Sequence, residues 1–439
     1  MVDPTIVALE KRPSSRHAWT IVAILTTAAI ISFTDRQILS LIVDPIRKDL
    51  QLSEIQISLL QGAAFAAIYG FLALPLGRAA DLLPRKWVIL TGIVVWSLAT
   101  IASAFVYSFS AFFVARFCVG MGEAALAPAS ISLISSCFEP ARRGIPIGLF
   151  FAGILVGAGA AIGIGGALLQ LAQSGHFAAL PLIGTLAPWR MVLVLAGLPG
   201  LLLALLLLGV RDVPHRSPGP AAASILALAP TIHEFSLRRV VLLPLYAATT
   251  LSAVGNYGVL AWLPSFLARV FGFSPGRIAF ELGATTSAAG IVGTLGGSFL
   301  ADLWARRGGV AGRLRFTFFV SLVGIPATAV GFLPSASAAL AAFALWTIVS
   351  AAVGTAAMVA IQDVLPDHVR GFGTAMYSFT STIFGLGTGP TLVALITQYY
   401  FRNAADVGMA ITVGILPAVC MAIALYYLAA RGASKTPVF

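Results

Sequence analysis

The stretch Gly77-Arg78-Ala79-Ala80-Asp81-Leu82-Leu83-Pro84-Arg85-Lys86 has an echo far down the chain, Ser298-Phe299-Leu300-Ala301-Asp302-Leu303-Trp304-Ala305-Arg306-Arg307. With the two superimposed, Asp81 falls on Asp302, Arg85 on Arg306 and Lys86 on Arg307 at one constant offset. Each copy is a short charged joint between two long apolar runs. A second echo, Arg143-Gly144 against Arg370-Gly371, precedes another pair of apolar runs at nearly the same offset. A chain that repeats its charged joints at equivalent places is built from two equivalent halves.

The apolar runs around these joints say what the halves are. Of 439 residues, 59% are hydrophobic and only 10% charged, and the mean hydropathy is +0.96, whereas soluble domains carry about 25% charged residues. A hydrocarbon core about 30 Å thick is crossed by roughly 20 apolar residues in a helix. Hydropathy and helix breakers predict such spans at 18–42, 55–77, 87–107, 109–137, 144–172, 189–210, 240–268, 277–300, 314–333, 336–362, 371–399 and 406–430. Backbone polar groups in lipid must be satisfied within the segment, so the expectation is an all-α integral membrane protein of twelve transmembrane helices in two six-helix bundles.

The halves divide at the longest polar-flanked connection, residues 211–239, which is rich in Pro, Ala and Arg. This gives an N-terminal tail 1–17, a first bundle 18–210, a linker 211–239, a second bundle 240–430 and a tail 431–439. Within the linker the apolar stretch 221–230 is too short to span, and reads either as a flexible linker or as an interfacial segment. The N-terminus enters its first apolar run without a short hydrophobic region and a small-residue cleavage site, so the first helix is expected to be retained.

An even number of spans puts both ends on one side. That side collects nineteen Lys and Arg, while the opposite loops hold Arg47, Lys48, Arg269, Arg277 and Arg402. The positive-inside rule therefore places both termini in the cytoplasm, with the protein in the plasma (inner) membrane. The net charge of +11 is spread among these loops rather than gathered into a basic domain with interleaved aromatics, which argues against a nucleic-acid partner. Cys118, Cys137 and Cys420 all sit in apolar segments without metal-ligand spacing. No nucleophile-base-acid set, GxSxG or Walker loop is present, which argues against an enzyme or an ATP-driven pump.

Four charges lie deep inside predicted spans: Asp35 and Arg36 in the first, Arg116 and Glu123 in the fourth. An intramembrane charge is costly and faces a partner or a water-filled cavity. At 1.5 Å per residue Arg116 lies about 10 Å and Glu123 about 20 Å into the fourth helix, while Asp35 lies about 25 Å from the inner start of the first. Seven residues are nearly two helical turns, so Arg116 and Glu123 share a face with Gly120 between them. Asp35 and Arg36 diverge by about 100°, with Asp35 expected toward the cavity and Arg36 toward a neighbouring helix. On this reading Asp35 and Glu123 exchange protons, and Arg116 alternates between pairing with them and holding a substrate anion. A fixed ion-pair network locking the first and fourth helices is the alternative.

The repeated joints suit a latch on the termini side, with an acid near a helix end and bases just beyond it. Asn256-Tyr257 followed by Trp262-Leu263-Pro264 in the seventh span offers a polar pair and aromatics for a substrate cavity. A charged first half facing an apolar second half suits an amphipathic solute. Small-residue spacings, among them Gly153/Gly157, Gly159/Gly163, Gly293/Gly297 and Gly385/Gly389, allow close helix approach.

With these residues in view, the chain resembles the major facilitator superfamily, whose signature between helices two and three is a Gly, an acid four residues on and a basic pair. Gly77, Asp81, Arg85 and Lys86 fit, while Leu82 and Pro84 depart from the Arg and Gly common there. Phe33-Thr34-Asp35-Arg36 and Arg116-Phe117-Cys118-Val119-Gly120-Met121-Gly122-Glu123-Ala124, with Pro128 following, resemble the spinster-like branch. The resemblance implies a monomeric, proton-linked or facilitative carrier of an amphipathic lipid-like or organic anionic solute, working by alternating access without a cofactor. A carrier of sugar acids and an uncoupled lipid scramblase are the alternatives.

Overall fold

The computed structural model describes residues 13–138, 144–181, 183–210, 228–366 and 369–435; the side chains of 73–74, 77–82, 144, 155, 158, 228–231, 370 and 371 lie outside that description. Among the described residues every regular element is helical. Helix α1 is Ser15–Leu41, capped by the Ser14 hydroxyl accepting from His17 N–H. A short helix, Val43–Asp49, leads into α2, which opens at a Ser53/Gln56 capping box and runs through Glu54–Ser58, a π-helical turn Leu59–Ala63 and Ala64–Leu82. Then follow α3 (Arg85–Ser103), α4 (Phe109–Ala124, continued by Leu126–Cys137), α5 (Gly144–Gln173) and α6 (Pro188–Leu208). Of the linker, 211–227 lies outside the described residues, and Leu228–Leu237 is a helix leading to α7 (Arg239–Phe271). Gly272 ends α7 at φ 64°, a left-handed turn that glycine adopts without strain.

Among the described residues eleven helices are long and apolar enough to cross a membrane, one fewer than the hydropathy spans. The difference is a single 49-residue helix, Pro275–Val323, broken by non-helical geometry at Gly308 and Gly309. Trp304 and Phe319 would stand about 22 Å apart along one straight helix, yet their rings lie 5.6 Å apart. The chain therefore reverses at the glycine pair, giving α8 (275–307) and α9 (310–323) and restoring twelve crossings. The expected loop 301–313 is thus helical nearly to its turn. Two 3-10 turns, Ile325–Thr328 and Val330–Phe332, lead to α10 (Ala336–Val364). Helix α11 comprises Arg370–Thr380, a π-helical turn Ser381–Leu386, Gly387–Leu395 and a second π turn Ile396–Phe401; α12 is Val407–Lys435.

Helices α1–α6 and α7–α12 pack as two lobes. At the membrane face opposite the chain termini the lobes share one apolar core, in which Ile42, Ile57 and Trp189 of the first lobe join Trp262, Phe266 and Phe343 of the second. Toward the termini the core splits: one cluster with Ile21, Ile89 and Ile134 lies in the first lobe, another with Leu245, Ile361 and Tyr426 in the second. Small residues set the inter-lobe contacts. A Cβ on Gly62 of α2 would stand 2.2 Å from the Leu386 carbonyl oxygen of α11, and one on Gly166 of α5 2.5 Å from the Pro275 carbonyl oxygen at the head of α8.

Candidate functional site

Between the lobes lies a cavity of about 1180 Å³ lined from α1, α2, α5, α7, α8, α10, α11 and α12. The first lobe contributes Phe33, Gln37, Tyr69 and the small-residue face of α5; the second contributes Asn256, Tyr257, Ser350, Tyr377 and Thr382 among other hydroxyl and amide groups. Among the described residues no acidic or basic side chain is in its lining. The expectation of an apolar second half is thus corrected: that lobe presents a neutral but hydroxyl-rich wall, because its Ser and Thr side chains fall on the inward faces of α7, α10 and α11.

Trp262 is also placed differently from the sequence reading. Five residues beyond Tyr257 it is rotated about 140° around α7. It is fully buried, and its indole N–H donates to the Pro390 carbonyl at 2.9 Å, fastening α7 to α11 away from the cavity.

The four intramembrane charges sit together inside the first lobe. Asp35 is buried, and one of its carboxylate oxygens accepts from the Thr100 hydroxyl of α3 at 2.6 Å while the other has no partner. Arg36 pairs with Glu123 of α4 at 2.7 Å. Its guanidinium is stacked among Phe33, Phe65 and Tyr69, at 4.8, 4.2 and 5.1 Å from the ring centroids. Arg116 lies within electrostatic reach of Glu123, Asp35 and Arg36. Its Nε and Nη2, and Oε1 of Glu123, are buried without hydrogen-bond partners. Two acids and two guanidiniums balance formally, which makes a dry interior tolerable for charges that would be prohibitive singly.

The adjacent pair on α1 does diverge, but in the sense opposite to the sequence expectation. Asp35 turns into the bundle toward α3. Arg36 faces the other lobe, through a crevice of about 20 Å³ that it lines with Gln61 and that shares Gln37, Tyr257 and Leu260 with the main cavity. The quartet is therefore behind the cavity wall rather than in it, and Arg36 is its point of access.

The repeated joints divide in role. Gly77 and Asp81 lie on α2, but their side chains are outside the described residues, as are Arg142 and Arg143. Arg85 donates to the Ser136 hydroxyl of α4. Lys86 donates to the carbonyls of Leu208 and Val210 at 2.8 and 2.6 Å, so in this arrangement it caps α6 within its own lobe. In the second lobe Asp302 pairs at 2.7 Å with Arg313 of α9, which also holds Asp363; Arg306 is exposed and does not meet Asp302. The reversal at Gly308–Gly309 brings Arg313 back to the acid.

Two groups escaped the sequence reading. Arg190 at the head of α6 donates to the carbonyls of Ala104 and Val106, both at 2.8 Å, and pairs with Asp49. Arg269 of α7 bridges the lobes, bonding Asp44 at 2.5 Å and Glu54 at 3.0 Å. Around it Ile55 N–H donates to Gln398, the Ser58 hydroxyl to Thr391, and the Gln61 amide to the Ala261 carbonyl. Every one of these inter-lobe bonds lies on the side of the shared core. The signal was available: Arg269 is one of the few basic residues on the face opposite the termini.

Two six-helix lobes fused at one membrane face, parted at the other and enclosing a cavity between them define a membrane transporter whose architecture fits alternating access. The model of the Major Facilitator Superfamily matches residues 25–390, and the chain belongs to that superfamily. It is 28% identical over 391 residues to an MFS-type efflux pump of Mycolicibacterium smegmatis (strain ATCC 700084 / mc(2)155), covering 88% of this chain and 86% of that protein. It is 27% identical over 316 residues to Protein spinster of Drosophila melanogaster, covering 70% of this chain and 49% of that protein, so it spans about half the length of that relative. Among solved structures, a bacterial homolog to the human lysosomal transporter Spinster, in an inward-facing and occupied conformation, superimposes with a TM-score of 0.84 over 97% of this chain and 100% of that one. At 24% identity this likeness concerns the fold. The family and these relatives are transporters, not enzymes.

Proposed function

We propose that the protein is a proton-coupled carrier of an amphipathic solute with a polar or anionic head, working as a monomer without a cofactor. The observation that carries this reading is the cavity of about 1180 Å³ together with an adjoining crevice that shares Gln37, Tyr257 and Leu260 with it and is lined by Arg36. Its α5–α8 wall carries Ile154, Val156, Phe280 and Ile291, suited to an apolar tail; Gln37 and Tyr257, which also line the Arg36 crevice, and the adjacent Asn256 are suited to the head. An anionic head entering the crevice competes with Glu123 for Arg36. Glu123, deprived of its partner in a dry site, then takes up a proton, because an unpaired buried carboxylate is the costlier state. Release of the solute returns Arg36 to Glu123 and frees the proton. With both termini in the cytoplasm, as the Lys and Arg distribution supports, the present arrangement is the inward-facing one.

The test is accumulation in proteoliposomes under an imposed pH gradient. Glu123→Gln is expected to abolish gradient-driven accumulation while solute counterflow persists, and Asp35→Asn to weaken accumulation. Wild-type accumulation in both would remove the proton role. Thermal-shift competition between lysophospholipids and hexuronates on the purified protein settles the solute class; stabilisation by hexuronates alone would overturn the amphipathic reading.

A further inference from the structure

On the lipid-facing side of the second lobe, on faces of α7 and α12 other than those that line the central cavity, these helices enclose an open groove of about 600 Å³ at their termini-side ends. Its walls are Val240, Leu243 and Ala247 on α7, spaced by three and four residues along one face, and Leu425 and Leu428 on α12. The helices touch at its floor, where a Cβ on Gly432 would meet the Val240 carbonyl oxygen at 2.9 Å. Val240, Leu243 and Leu428 are 61, 67 and 50% exposed.

An apolar face alone is what any lipid-facing helix shows. This one is concave, and Arg431 and Lys435 line it at one end. Both are exposed, and neither forms a salt bridge among the described residues. A third cation stands beside them, since the Arg315 guanidinium donates to the Ser434 hydroxyl at 3.1 Å. From Leu425 to Lys435 the groove runs about 15 Å, the depth of one leaflet of a hydrocarbon core about 30 Å thick. Its polar end is uniformly cationic and its long axis runs along the helices.

We propose that this groove is a binding site for an anionic phospholipid of the termini-side leaflet, its phosphate held by Arg431 and Lys435 and an acyl chain lying between α7 and α12. The charge complementarity selects an anionic head, and the apolar trough selects a chain-bearing molecule over a free anion. The site stands apart from the solute pathway and does not depend on the reading of the central cavity.

The test is native mass spectrometry of the purified full-length protein titrated with phosphatidylglycerol, with phosphatidylcholine of the same chains, or with inorganic phosphate. The wild type is expected to retain phosphatidylglycerol in preference to phosphatidylcholine. Arg431→Gln with Lys435→Gln is expected to weaken that retention about thirtyfold, from two basic groups near a charged surface. Ala247→Trp, which fills the apolar end at an exposed position, is expected to lower it with the cations intact. Equal retention of the two lipids, or undiminished phosphatidylglycerol binding in both variants, would overturn the proposal; so would displacement of the lipid by millimolar inorganic phosphate, which would make the site a simple anion patch.

Discussion

Arg36 is held by three aromatic faces and one carboxylate, an arrangement that uses the planarity of the guanidinium as much as its charge. A lysine cannot stack in that way. Arg36→Lys is therefore expected to keep the fold but to lower gradient-driven uptake at least about tenfold, which is about 1.4 kcal/mol of lost interaction; uptake at the wild-type rate would show that only the charge matters. Trp262→Phe should lower stability by about 1 kcal/mol through the lost bond to Pro390, read as a drop in the unfolding midpoint, with solute binding unchanged because the ring lies outside the cavity. At this scale the sequence was informative about which residues are unusual and silent about their directions. Four charges in apolar runs stand out by cost alone. Which of Asp35 and Arg36 faces the cavity depends on the rotation of α1, and that is set by Thr100 on one side and by Phe65 and Tyr69 on the other. A pair at i, i+4 such as Phe65 and Tyr69 marks one helix face, but nothing local says that it will cage a guanidinium.

At the scale of elements, apolar length alone located nearly all the helices, because in lipid the backbone has few other ways to satisfy itself. The joint between α8 and α9 is much shorter than the expected 301–313, because Ala, Leu, Trp and Arg continue a helix readily and only Gly308 and Gly309 stop it. The likeness of the two joints at 77–86 and 298–307 marks a real repeat, but repetition does not fix partners. Lys86 serves the end of α6, and Asp302 serves α9. Helix α2 carries a π-helical turn, and it meets the first of the two in α11 where Gly62 approaches Leu386. Gly62→Ala forces a Cβ against a backbone oxygen and should cost about 1–3 kcal/mol of this conformation, measured as a lowered unfolding midpoint in nanodiscs. An unchanged midpoint would mean that the two helices part easily.

For the whole molecule, the inter-lobe bonds around Arg269 act as a clasp. Arg269→Gln should favour opening at the face opposite the termini. In a background lacking Cys118, Cys137 and Cys420, a cysteine at the buried Ser58 should then react several-fold faster with a membrane-impermeant maleimide applied from that face. No change in labelling would assign the hold to apolar packing alone.

That packing has a thermal consequence. If the lobes rock, the shared core containing Ile57, Trp262, Phe266 and Phe343 is partly wetted in one state and dry in the other, and wetting apolar surface raises heat capacity. The transport cycle would then carry an activation heat capacity even though no part of the chain unfolds. Turnover plotted against reciprocal temperature should curve instead of following a line. Trimming the core, for example by Phe343→Leu, should flatten that curve, so the same substitution that loosens the closed face would change how the protein responds to cold.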